Sequence, residues 1–313
     1  MCASLVDLVG RLRERVNKVA DEIKPDELKK KVVSNKKIVV PRSIPDKRPI
    51  KGSDWFSVPY ANMYACAMKG SGKTTVLTNI IWHCIGKDTK VIIISPTTKI
   101  DKTWQTEIKK LTNKGYSVEC FDDFIDDDVD ILEEFMEENK NGLEDNPQPT
   151  PTIFRPAPMF QPRIPITPLH PVQPPQIPSQ QPVPTEQKSK LITPKFIIVI
   201  DDMGSSMAKS KSLTQLMKTN RHYKTLIITA SQHLNDLNPA QRKQLGYIFL
   251  FPKFSEDKLK DLYKDLDISI TYEKFLSIYR DATNEKYSFL YISRASGEDE
   301  FRKKFNEKYI LEK

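Results

Sequence analysis

The sequence predicts an α/β fold in which helices cover both faces of a parallel sheet. Three observations lead there. Short, uniformly apolar, β-branched runs recur at 91–94, 196–200, 226–229 and 247–250. Strands buried on both faces need this composition. Stretches of helical spacing separate the runs, which is the alternation of strands and crossover helices. A glycine-rich turn joins the first apolar stretch, 61–67, to the first of these helices.

The elements follow in order. Residues 1–24 carry Leu5, Val9, Leu12, Val16, Val19 and Ile23 at alternating spacings of four and three. That is a heptad seam on a helix, fit either to dock on its own domain or to join subunits. Gly10 weakens it and Pro25 ends it. Residues 25–60 form a basic arm with a short strand at 38–40. The first half of the core spans 61–140: strand 61–67, helix 73–85, strand 91–94, a helix around 103–111, a strand near 117–120 and an acidic segment expected as solvated helix or loop. Residues 141–190 hold fourteen of the 23 prolines, which excludes helix and sheet ladders and favours extended polyproline. This insertion suits a spacer or a docking strip for an aromatic groove. The second half, 191–313, adds strand 196–200, a helix near 207–219, strand 226–229, helix 239–245, strand 247–250, a helical pair and a strand at 287–292.

Composition narrows the setting. The four cysteines, Cys2, Cys66, Cys84 and Cys120, form no CxxC pair, so a disulfide framework or zinc site is not expected and a reducing compartment fits. Cys66 reads as a small apolar residue. No apolar run reaches the ~18 residues of a membrane span. The chain starts on a charged helix, with Cys2 where myristoylation needs Gly, so a soluble intracellular protein without membrane partners is expected. Residues 119–145 hold thirteen acidic groups and one Lys, a net of −12, leaving +20 on the rest of a chain whose formal charge is +8. So basic a remainder suits a polyanion or ordinary solvated lysines alike.

Gly70-Ser71-Gly72-Lys73-Thr74, between strand and helix, carries the chemistry. Side-chain-free glycines let backbone N–H groups curl round a phosphate, and the following helix points its positive end at the anion. Lys73 reaches β and γ oxygens, and the Thr74 hydroxyl ligates Mg²⁺. Strand 196–200 ends in Asp201 and Asp202. A triphosphatase needs one carboxylate for the metal's water shell, which suits Asp201. It needs another to orient the attacking water, which suits Asp202. Gln232 follows strand 226–229 at the ligand-binding end of a parallel sheet, placed to sense the γ-phosphate. Arg221 precedes that strand at the opposite end, where it could reach only a neighbour's nucleotide. Arg242 is a second candidate for that role. His222 has no metal-binding companions.

Taken in order, GSGKT, VIIISPTT with Trp104 shortly after, FIIVIDDM, RHYKTLIITASQ and QRKQLGYIFLF resemble the genome-packaging ATPases of large double-stranded DNA viruses and virophages. These are the poxvirus and giant-virus type of the FtsK–HerA superfamily. The resemblance covers residues 60–295 less the insertion. It implies a RecA-like ASCE P-loop NTPase fold of three layers and a homo-oligomeric ring, pentamer or hexamer. It also implies ATP-driven translocation of double-stranded DNA into a capsid, with a capsid or procapsid component as partner. Host cytoplasm, viral factory or virion would be its place. ATP and Mg²⁺ are the implied cofactors. Gly70, Ser71, Gly72, Lys73, Thr74 and Thr75 would bind nucleotide, and Thr74 and Asp201 the metal. Lys73, Asp202, Gln232 and, in trans, Arg221 would act in catalysis. Two departures stand out: Ala67 where the loop usually opens with Gly, and the acidic and proline-rich insertion. Rival readings are a replication-linked helicase or DNA pump, and a nucleotide-switched assembly or docking protein. A small-molecule kinase fits less well, for want of a lid-like Arg cluster.

Overall fold

The structure is a computed structural model of the chain and describes residues 48–140 and 191–311. The heptad helix expected over 1–24, the arm up to residue 47 with its strand at 38–40, and the proline-rich insertion 141–190 lie outside the described residues.

In chain order the first elements are β1 (Asn62–Cys66), α1 (Lys73–Cys84), β2 (Lys90–Ile94), α2 (Lys102–Asn113) and β3 (Ser117–Phe121). A two-residue pair, β4 (Ile125–Asp126) and β5 (Val129–Asp130), leads into α3 (Ile131–Glu138). Then come β6 (Phe196–Asp201), α4 (Ser205–Lys209), α5 (Lys211–Thr219), β7 (Thr225–Ser231), α6 (Pro239–Arg242) and β8 (Tyr247–Leu250). The chain closes with α7 (Glu256–Asp265), α8 (Tyr272–Ala282), β9 (Leu290–Ser293), β10 (Glu300–Lys303) and β11 (Glu307–Lys308).

The main sheet runs β11-β10-β9-β8-β1-β7-β6-β2-β3. From β3 to β8 every pairing is parallel. From β8 to β11 every pairing is antiparallel. The expected parallel sheet is therefore the larger part of a mixed one. Alternate side chains of the central strands feed two cores. Met63, Ala65, Ile93, Val199 and Ile228 meet Leu77 and Ile80 of α1 and Trp104 of α2. Tyr64, Cys66, Ile94, Ile200 and Ile227 meet Leu132 of α3, Leu216 of α5, Leu262 of α7 and Phe275 of α8. Helices thus lie on both faces, in three layers. Each fully buried Leu or Ile adds about 1.5–3 kcal/mol of transfer free energy.

Several elements differ from expectation. The acidic run is not simply solvated. Asp127 and Asp128 take left-handed backbone at the tip of a hairpin, which Asp tolerates better than most residues. Asp130 then caps α3 by accepting from Leu132 and Glu133 N–H, and α3 buries Ile131, Leu132, Phe135 and Met136. The helix expected near 207–219 breaks at Ser210, whose hydroxyl accepts from Leu213 N at 3.0 Å to start α5. The helix at 239 stops at Arg242. The last predicted strand starts later, at Leu290, because Tyr287 has φ +61° and cannot lie in a ladder. Residues 48–60, counted with the arm, pack on the core. Phe56 is buried, and Trp55 stacks on Phe305 at 3.9 Å and 3° between planes.

Candidate functional site

The carboxyl ends of β1, β6 and β7, neighbours in the sheet, converge on one cavity of about 1290 Å³. Ligands of open α/β sheets bind at such ends. The turn after β1 begins at Ala67, which is fully buried and whose N–H donates to Ser231 O at 2.9 Å. Ala67 is not among the residues with positive φ, so a methyl replaces the usual opening glycine without strain. Positive φ falls where glycines stand, at Gly70 (+75°) and Gly72 (+89°). Gly72 caps α1 and offers no side chain to its first N–H groups. With no acidic residue in the first turn either, those donors remain for an anion.

Lys73 opens α1 and is buried beside two carboxylates. Its ammonium stands 2.8 Å from Asp201 Oδ1 and pairs also with Asp202. Burial alone would lower the Lys73 pKa, but Asp201 and Asp202 more than offset it and hold the ammonium above its ordinary value. Burial pushes the Asp201 carboxyl up, and Lys73 opposes this. Asp202 follows β6 in left-handed backbone, φ +57°, with its N–H on Ala230 O at 3.1 Å. This turn separates the two carboxylates: Asp201 stays under the sheet's end, while Asp202 lines the cavity.

The structure brings Gly70, Gly72, Lys73, Thr74, Thr75, Asp202 and Gln232 to the cavity wall. Ser71 turns both its hydroxyl, at 2.6 Å, and its N–H, at 3.2 Å, to Met68 O and does not line the cavity. Asp201 joins through Lys73. Arg221 is exposed and far off in kind: it lines a separate polar cleft of about 400 Å³ with Lys218, Lys243 and Arg294, at the entry ends of the strands. Arg242 is held within its own chain. It donates to Asn235 Oδ1 and Leu237 O, both at 3.1 Å, and lies 3.4 Å from Asp265. His222 is exposed, and among the described residues no group of His, Cys, Asp or Glu is built to hold a metal alone. Cys66 is buried, which pushes its thiol up to about 12, in keeping with an apolar role.

Mg²⁺ seldom needs an all-protein cage, because substrate phosphates and water supply most of its oxygens. The residues present fit it. Asp201 Oδ1 is buried, with the Lys73 ammonium 2.8 Å away and no hydrogen bond of good geometry, so it keeps lone-pair capacity for a hard cation or the cation's water. Thr74 and Asp201 would hold the ion.

Two features go beyond the sequence reading, which named Trp104 only among the motifs of the resemblance and gave it no role. Trp104 of α2 is completely buried, and its indole N–H donates to Asp201 Oδ2 at 3.0 Å. It fixes the carboxylate's orientation across 97 residues of chain, a pairing no local pattern announces. The far wall of the cavity comes from Tyr287 and from the β10–β11 turn, Lys304 to Asn306, to which no chemistry had been assigned.

Two family models match the chain. That of the type III restriction enzyme, res subunit, matches residues 60–233, more than half of the chain and both halves of the site. The chain belongs to this P-loop ATPase family. The model of the Poxvirus A32 protein matches residues 180–304, which upholds the resemblance to viral packaging ATPases of the FtsK–HerA type. Uncharacterized protein 075L of Invertebrate iridescent virus 6 is 29% identical over 105 residues, covering 33% of this P-loop ATPase. The chain spans 41% of that relative's length. Among solved structures, the genome packaging NTPase B204 from Sulfolobus turreted icosahedral virus 2, bound to sulfate, is similar at a TM-score of 0.45 and 16% identity. That match covers 82% of this chain and 100% of B204. B204 from Sulfolobus turreted icosahedral virus, described as a DNA-packaging ATPase, gives 0.43 and 14%, over 78% and 97%. No helix among the described residues is long and apolar enough to cross a membrane.

Proposed function

We propose that this P-loop ATPase is a viral genome-packaging motor that hydrolyses ATP to drive double-stranded DNA into a capsid. The observation that carries the hydrolytic part is the convergence of Asp201 and Asp202 on Lys73 at a helix N-terminus, with Lys73 and Asp202 on the wall of one cavity. The Poxvirus A32 match over 180–304 supports the packaging part.

The β and γ phosphates lie against the N–H groups of Gly70 to Thr75, and Lys73 neutralises their oxygens. Thr74 and Asp201 would hold Mg²⁺, which would supply further charge neutralisation there. Asp202, on the cavity wall, orients the water that attacks the γ-phosphorus in line. Gln232 hydrogen-bonds that water or the γ-phosphate. Arg221 of an adjoining copy reaches the developing charge from outside, since its own strand entry faces away. Chemistry of this kind is positioning and electrostatics, with little for the protein to do covalently. DNA is gripped through phosphates by basic surface, without base readout. A ring of copies and a capsid component complete the assembly.

The test is ATP hydrolysis by the purified chain with and without long double-stranded DNA. Turnover should rise with DNA, and Lys73→Ala should lower it about 100-fold or more while circular dichroism stays unchanged. Wild-type turnover by Lys73→Ala would overturn the assignment of the site. Hydrolysis indifferent to DNA at every salt concentration would overturn the motor.

A further inference from the structure

The phosphate loop makes no use of Tyr287, yet Tyr287 stands over it. A Cβ at Gly72 would lie 3.2 Å from the Tyr287 Cδ1 atom. The residue has φ +61°, a genuine outlier for an aromatic side chain, and remains 54% exposed. Strained backbone of this kind persists only where the surroundings over-determine it, and it gathers at ligand clamps.

The surroundings do over-determine it. Ser288, next in the chain, is buried and donates its hydroxyl to Ala282 O at 2.6 Å. The Glu285 carboxylate accepts from Lys303 at 2.8 Å and Lys304 at 3.1 Å. These two lysines hold it below the usual carboxylate range. Lys304 N–H donates to Phe289 O at 2.9 Å. The loop that bears Tyr287 and the β10–β11 turn are thus locked together. Phe305 is buried in that turn against Trp55, and its neighbour Asn306 is left exposed on the wall of the same cavity. The Lys286 ammonium lies 4.8 Å from the Tyr287 ring centre, a cation–π contact that holds the ring from one side.

Resting on the reading of the cavity as a nucleoside triphosphate site, we propose that Tyr287 and Asn306 form its nucleobase platform. The tyrosine ring stacks on a purine, and the Asn306 carboxamide reads the purine's edge. One amide donor beside one acceptor matches the amino group and ring nitrogen of adenine. Guanine presents two acceptors at the corresponding edge. The site therefore prefers adenine nucleotides.

Calorimetric titration of the full chain with ADP, GDP and tripolyphosphate, each with Mg²⁺, tests this. Tyr287→Ala should weaken ADP about tenfold or more, the size of one base–aromatic stack. The same variant should keep tripolyphosphate within about twofold of wild type, and Tyr287→Phe should bind ADP like wild type. Asn306→Ala should erase the preference for ADP over GDP. Undiminished ADP binding by Tyr287→Ala would sink the platform and leave the phosphate site standing. So would an equal loss of ADP and tripolyphosphate, which would make Tyr287 a prop for Gly72. If wild type bound neither ligand, or Lys73→Ala bound tripolyphosphate as well as wild type, the triphosphate site would fall and the platform with it.

Discussion

The two ends of the parallel strands handle charge in opposite ways. At the carboxyl end, Lys73 is buried between Asp201 and Asp202, and Trp104 fixes the deeper carboxylate. At the entry end, Lys218, Arg221 and Lys243 line a cleft with no ion pair to any of them among the described residues, and Arg294 lies 3.5 Å from Asp299. A buried charge must find its partner within the fold. An exposed cluster of like charges has no such need, and a second body can complete it. One end is thus charge paired within a single chain, and the other is positive charge left at the surface.

The contrast can be broken or sharpened by substitution. The largest effect is expected from Arg221→Ala. DNA-stimulated turnover should drop about 1,000-fold, the lower range for a trans arginine, while the thermal midpoint stays put because the guanidinium has no ion-pair or hydrogen-bond partner among the described residues. A fall in the midpoint would show that Arg221 is structural. Trp104→Phe comes next. It keeps the ring but strips the buried Asp201 oxygen of its donor, costing about 1–3 kcal/mol in urea unfolding. Turnover should fall about tenfold through the misoriented metal ligand. Unchanged urea unfolding would mean water replaces the indole. Arg242→Ala is the smallest. Its contacts to Asn235, Leu237 and Asp265 predict about 1 kcal/mol of destabilisation and turnover within about twofold of wild type. A loss of turnover like that of Arg221→Ala would move the trans role to Arg242.

The same contrast shows what a sequence exposes. β2, β6, β7 and β8 were legible because burial on both faces makes their central runs almost wholly apolar. The phosphate loop was legible because its chemistry needs glycines beside a Lys-Thr pair. The β10–β11 hairpin was not. Glu300 to Lys303 mixes charge with one buried Phe301, and its place in the sheet comes from pairing with β9. Nor was the break at Ser210, where a hydroxyl cap decides between one helix and two. The contacts of Trp104, named in the sequence only as part of a motif, and of Tyr287 were illegible for a common reason: each meets a group far away in the chain, Asp201 and Gly72, through an arrangement only the folded sheet creates.

The central claim is that the two ends meet in trans, each Arg221 serving a neighbour's Lys73 site. Its most direct measurement is DNA-stimulated ATP hydrolysis at fixed total protein while Arg221→Ala replaces wild type stepwise. A shared site predicts that turnover falls more steeply than the wild-type fraction, because one altered subunit silences work beyond its own. A fall in strict proportion to the wild-type fraction would contradict it, and would leave each chain hydrolysing ATP alone.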